Sequence, residues 1–106
     1  MIYEKLKKIL WAISLEIMVN SKTRVVNCKK EPYDVYIGRP SKWGNPFKIG
    51  RDGSRQEVIL KYKDMIISNT ELIKQIPIEL RGKTLGCWCK PDACHGDVLV
   101  EMADKD

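Results

Sequence analysis

Apolar side chains at Ile2, Leu6, Ile9, Leu10, Ile13 and Ile17 recur at steps of three and four, with Glu4, Lys5, Lys7 and Lys8 on other faces. This period predicts an amphipathic helix over Ile2 to Ile17 that docks on the core or on a partner. Trp11 and the lysines also admit attachment to a membrane surface. The pattern then changes. Thr23–Cys28, with Val25 and Val26, and Asp34–Ile37 read as short strands parted by a Glu31-Pro32 turn. Residues 38–47 follow neither period and are too rich in Gly and Pro for regular structure, so they form a loop with defined turns. Ser54 with Glu57 three residues later has capping-box spacing, and Val58, Ile59, Tyr62, Met65 and Ile66 continue a helical stripe to about Ser68. Asn69-Thr70 breaks that stripe. Glu71–Ile76 predicts a short second helix that Pro77 interrupts. Lys83–Cys89 reads as a buried strand, Pro91-Asp92 as a loop, and the last helix runs from His95 or Gly96 to Ala103 with Val98, Leu99 and Met102 facing inward.

The element order is helix, strand, strand, loop, helix, helix, strand, helix. It predicts an α/β fold, a small two- or three-layer sandwich on a short, mostly parallel sheet of about three strands. We divide the chain into an N-terminal helical extension, 1–20, and a single domain, 21–106. Met18 offers an alternative translation start, in which case the leading helix is dispensable for the chemistry. A chain of 106 residues makes a thin core, to whose stability a metal, a ligand or a partner would matter.

Composition narrows the function classes. The longest apolar stretch, Ile9–Met18, is interrupted by Ser14 and Glu16 and is too short to span a bilayer. It lacks the small-residue cleavage site of a secretory signal, so the expected location is the cytoplasm, of a bacterium or of an infected host cell. The net charge of +5 is spread along the chain rather than gathered into one run. It favours anionic partners, from nucleotides to nucleic acid, against the plainer reading of a solvated surface. Few aromatic residues besides Trp43 and Trp88 look exposed, which argues against a single-strand stacking platform. A homo-oligomer is a further open partner class.

Three of the four cysteines fall in Cys87-Trp88-Cys89-Lys90-Pro91-Asp92-Ala93-Cys94-His95-Gly96-Asp97, which also holds the only histidine. Without signs of secretion, such clustering points to metal or thiolate chemistry rather than a disulfide framework. Strand alternation puts Cys87 and Cys89 on one face, while Cys94 and His95 begin a helix, where free N–H groups and the dipole favour anions and lower a thiol pKa. Three readings stand. Cys87, Cys89, Cys94 and His95 have the right chemistry for zinc, although their spacing departs from Cys-x2-Cys pairs. Alternatively, the helix start forms an anion or nucleotide pocket with Cys94 as nucleophile and His95 as acid/base. In the third, the cysteines simply pack, as the remote Cys28 is expected to.

In the 38–47 loop, Arg39 and Lys42 set cations beside backbone turns, Ser41 adds a hydroxyl, Trp43 can stack on a ring, and Asn45 offers donor and acceptor. The structural alternative has Trp43, Pro46 and Phe47 plugging one end of the core, with Asn45 tying the turn.

The motifs Gly38-Arg39-Pro40-Ser41-Lys42-Trp43-Gly44-Asn45-Pro46-Phe47, Leu80-Arg81-Gly82-Lys83-Thr84-Leu85-Gly86-Cys87-Trp88-Cys89 and Cys94-His95-Gly96-Asp97 together resemble a family of bacteria and their viruses known only as domain of unknown function 4326. The resemblance covers about Thr23 to Ala103. It implies no established activity and suggests a phage or a phage-rich genome as the source. Cys87, Cys94 and His95 also resemble, more weakly, another uncharacterised α/β family with a Cys-His-Arg helix start, from which Gly96 departs.

These residues lead to one expectation: a pocket between the 38–47 loop and the 87–97 segment that binds, and in an enzymatic version processes, a nucleotide or similar phosphorylated molecule. Arg39 and Lys42 would neutralise the anion, Trp43 stack, and Asn45 set its orientation, with Ser41 and Gly96 also among the ligand-binding residues. The backbone around Cys94–Gly96 would receive phosphate, with Cys94, His95 and Asp97 as candidate reactive groups. An enzyme of this kind would be a nucleoside- or nucleotide-directed hydrolase or transferase. The alternative is a zinc-stabilised, non-enzymatic module that sequesters a nucleotide or contacts nucleic acid or protein.

Overall fold

A computed structural model describes residues 22–105. The leading helix expected over Ile2–Ile17, the 1–20 boundary and Met18 lie outside the described residues. Short β-branched runs form β1 (Arg24–Asn27) and β2 (Val35–Tyr36), and Thr84–Cys87 forms β3. The last of these in sequence is the central strand. Both neighbours pair with it in parallel, Val25 and Val35 opposite Leu85, Val26 and Tyr36 opposite Gly86. Parallel neighbours cannot be joined by a hairpin, so the chain crosses over through helices α1 (Arg55–Ser68) and α2 (Thr70–Glu79) before β3. Helix α3 (His95–Ala103) follows β3 and packs on β1, α1 and α2. The fold is α/β.

Central position explains why β3 is the most buried strand. Leu85 and Cys87 are almost fully enclosed and share one core with Tyr62, Ile66, Ile76 and Leu99 from the three helices and with Leu80 just past α2. Alternation turns Gly86 the other way, under the Tyr33 ring, where an added Cβ would fall 2.6 Å from Tyr33 Cγ. Beyond Cys87 the strand stops short of the expected Cys89, because Asn27 Nδ2 donates to the Trp88 and Lys90 carbonyls at 3.3 and 2.9 Å and holds them off the ladder.

Helix α1 begins with the expected capping box. Ser54 Oγ accepts from Glu57 N at 3.2 Å, and Glu57 Oε1 accepts from Ser54 N at 3.0 Å. Helix α2 corrects an expectation: it starts at Thr70, with Asn69 as its cap, and passes through Pro77 to Glu79. Proline removes one backbone donor. Ile76 and Leu80 on either side of it are buried, and their packing outweighs the lost bond. Among the described residues no helix is long and apolar enough to cross a membrane.

Candidate functional site at the carboxyl end of the central strand

Parallel strands deliver their following loops to one edge of the sheet, where clefts of α/β folds form. Here the loop after β2 and the segment after β3 wall a cleft of about 110 Å³. Gly38, Arg39 and Phe47 line it from the first, and Trp88, Cys94 and His95 from the second. Each segment contains a cis prolyl peptide, Arg39–Pro40 and Lys90–Pro91.

The 38–47 loop is held from three sides. Successive turns close through Ser41 N to Gly38 O and Gly44 N to Ser41 O, at 2.9 and 3.0 Å. Asn45 Nδ2 donates to Val58 O at 3.1 Å, while its Oδ1 accepts from Phe47 N at 2.9 Å. Tyr62 hydroxyl donates to Trp43 O at 2.7 Å, a buried bond. At the start of the loop, His95 Nε2 lies 2.7 Å from Ile37 O. A carbonyl can only accept, so Nε2 carries the proton and Nδ1 keeps the lone pair. The ring meets Tyr62 edge-on at 5.0 Å. Burial, with the Arg39 charge adding to it, lowers the His95 pKa, which leaves the imidazole neutral at pH 7.

Cys94 is the N-cap of α3. Its Sγ accepts from Gly96 N at 3.3 Å, and Asp97 Oδ2 accepts from Cys94 N at 3.1 Å, a capping box with sulfur in place of oxygen. Cys87 Sγ accepts from Cys89 N at 3.4 Å. The two sulfurs of Cys87 and Cys94 and one imidazole nitrogen of His95 lie within 4.8 Å of one another, all three residues buried. A hydrogen bond from the Cys87 thiol, supported by the Gly96 N–H, lowers the Cys94 pKa against the cost of burial. The same bond and burial raise Cys87. The pair therefore ionises first at Cys94. Cys89 is half-buried and lies outside this triad, its pKa raised chiefly by burial, with Arg55 acting in the opposite sense. Cys28 also lies outside it, and all four cysteines are free thiols.

The structure distributes the remaining expected site residues unevenly. Arg39 is exposed and lines the cleft. Trp43 corrects the stacking expectation: at 2% exposure it belongs to the core, and no face is open to a base. Lys42 reaches α2 instead, with Nζ 2.6 Å from Gln75 Oε1 and 2.7 Å from Glu79 Oε2. Ser41 Oγ is buried without a partner among the described residues and is not part of the lining. Asn45 borders the cleft, but its amide is committed to backbone. Asp97 is committed to the Cys94 cap and to Lys90 Nζ at 2.6 Å. The expected phosphate cradle at Cys94–Gly96 is also engaged within the chain, Gly96 N by Cys94 Sγ and Asp97 N by Cys94 O. Gly96 serves packing, since a Cβ there would fall 2.8 Å from Ile37 Cδ1 and 2.9 Å from Val25 Cγ2.

Sequence reasoning placed neither Arg55 nor Trp88 in the site, and the cleft holds both. Arg55 opens α1, lines the cleft, and donates from Nη1 to Ala93 O at 3.1 Å. Its signal was a cation in the first turn of a helix, where the dipole disfavours one. Trp88 is 55% exposed and lines the cleft, with Nε1 donating to Tyr36 hydroxyl at 2.8 Å. Its signal was that it is one of the few aromatic residues that look exposed.

The family described as Domain of unknown function (DUF4326) matches residues 19–105, a span that contains both walls of the cleft. The chain is 44% identical over 86 residues to an uncharacterised 12.4 kDa protein in the nrdA-td intergenic region of Enterobacteria phage T4, covering 77% of this chain and 78% of that protein. It is 39% identical over 108 residues to the uncharacterised protein R718 of Acanthamoeba polyphaga mimivirus, covering 85% of this chain and 78% of that one. No solved structure matches.

Proposed function

The chain belongs to the DUF4326 family, and from the chemistry of its cleft we propose that it binds a small anion of the nucleotide or other phosphorylated class between the 38–47 loop and the 87–97 segment. The observation that carries this reading is the convergence of Arg39 and Arg55, from separate elements, on one cleft. Arg39 has no ion pair among the described residues, and Arg55 has only a long one, 3.7 Å, to Asp92. Two guanidinium forks with little acidic compensation favour a bidentate anion. Size limits what enters. A cleft of about 110 Å³ holds the volume of about four waters, enough for one phosphoryl group and far short of the roughly 300 Å³ or more that a whole ligand occupies. The phosphoryl end enters, and the remainder of the ligand lies outside against the exposed Trp88 ring.

The test is calorimetric titration with ATP and with inorganic pyrophosphate. Arg39→Gln and Arg55→Gln should each weaken binding about tenfold or more, the loss of one charge-assisted contact. Lys42→Gln should leave it unchanged, because that cation faces α2. Equal loss in the Lys42 variant, or no binding of either probe at millimolar concentration, would refute the reading.

A further inference from the structure

We infer that Cys87, Cys94 and His95 form a three-ligand metal centre of the Zn2+ type, with its fourth coordination position open to the cleft. Two thiolates and an imidazole are the donors that select zinc over harder cations. Bonds of about 2.3 Å to sulfur and about 2.0–2.1 Å to nitrogen place tetrahedral ligand atoms about 3.5–3.8 Å apart. The three atoms here already lie within 4.8 Å of one another, so a metal would draw them together by about 1.3 Å at most, within reach of small side-chain rotations.

What surrounds the three ligands also suits a metal. Each sulfur accepts an N–H from the residue two positions on, Cys89 N to Cys87 and Gly96 N to Cys94. These donors stabilise negative charge on sulfur without using its remaining lone pairs. His95 gives its Nε2 proton to Ile37 O, which fixes the ring and leaves the Nδ1 lone pair free for a metal, the pattern by which metal-bound histidines are oriented. Plain packing of small thiols would not need a histidine held in place by a buried carbonyl beside them.

The ligand set differs from the four-residue site that spacing alone offers. Cys89 lies next to Cys87 and Arg55 but is not among the atoms that fall within 4.8 Å of one another. Cys87, Cys94 and His95 all line the cleft, with Cys89 beside them but outside the triad, so the fourth position faces the cleft and is accessible to water or to an anion. A zinc site with three protein ligands and one exchangeable position is the arrangement of catalytic rather than purely structural zinc.

The experiment is titration of the full chain, purified without chelator and kept reduced, with Co2+ followed by Zn2+ competition. One Co2+ per chain is expected, with the strong visible bands of a tetrahedral site and a near-ultraviolet thiolate-to-metal band of two-sulfur intensity. Cys87→Ser and Cys94→Ser should each weaken Co2+ binding by about a hundredfold or more. Cys89→Ser and Cys28→Ser should leave it unchanged. Should a ligand variant fail to fold, the band intensity of the unsubstituted protein still counts its sulfurs. No stoichiometric uptake by reduced protein overturns the centre, and so does a three-sulfur spectrum that weakens in Cys89→Ser. The outcome is separable from the anion reading: uptake of Co2+ without nucleotide binding keeps the centre and removes only that reading.

Discussion

In residues 38–47, Asn45 ties the loop to α1 through Val58, Lys42 turns to α2, and Trp43 is buried among the helices. In residues 87–97, Cys87, Cys94 and His95 bring three chemically active atoms within 4.8 Å at the cleft. Both stretches are rich in functional side chains, yet one uses most of them to hold itself in place and brings a single cation to the cleft, Arg39. The difference follows from backbone regularity. A strand end and a helix start aim successive side chains in directions set by their own geometry. An irregular loop has no such rule, and each of its side chains goes where a long-range partner takes it. Functional groups in the regular stretch can therefore converge, while those in the loop act first as anchors.

Trp43→Ala tests this contrast with the largest expected effect. If the loop is anchored through the core, the substitution costs about 3–5 kcal/mol in urea denaturation. A stacking Trp43 would instead lose ligand binding at unchanged stability, and that result would erase the distinction between the two stretches. Gly96→Ala probes the other wall. Crowding of Ile37 and Val25 costs about 1–3 kcal/mol and exceeds the roughly 0.5–1 kcal/mol gained from helix propensity, so thermal stability should fall. A rise in stability with loss of ligand affinity would mean that Gly96 makes room for a ligand rather than for the sheet.

The smallest effect lies in the third wall, where the Ser54–Glu57 box starts α1 and so sets Arg55 at the cleft. Backbone and hydroxyl hydrogen bonds from Ser54 hold the Glu57 carboxyl below its ordinary pKa of 4.5. Its contribution to stability is complete above pH 4.5 and is lost as the pH falls through the depressed folded value. The stability difference between the protein and Glu57→Gln, followed by denaturation across an acid series, should accordingly shrink below pH 4.5. A difference independent of pH would show that the carboxylate does not cap the helix through its charge.

Much of the fold was legible because its signals are local. The capping box at Ser54, the stripe Val58–Ile66, the β-branched pair Val25-Val26 and the helix start at Cys94 each depend on residues within four positions. The helix through Pro77 was not legible, since its continuation rests on burying Ile76 and Leu80 against other elements. At the site, the two segments and the Cys-His cluster could be singled out by residue type. The exclusion of Cys89 from the triad and the inclusion of Arg55 could not, because each follows from where separate elements meet.

By itself, then, the sequence determined the element types, most of their boundaries and the two stretches that carry the chemistry, because these follow from backbone hydrogen bonding and side-chain period over a few residues. Only the tertiary structure decided which groups share the cleft. Tyr62 reaches the Trp43 carbonyl across 19 positions and His95 reaches Ile37 across 58, and bonds over such separations exist only where the 38–47 loop, α1 and the start of α3 meet.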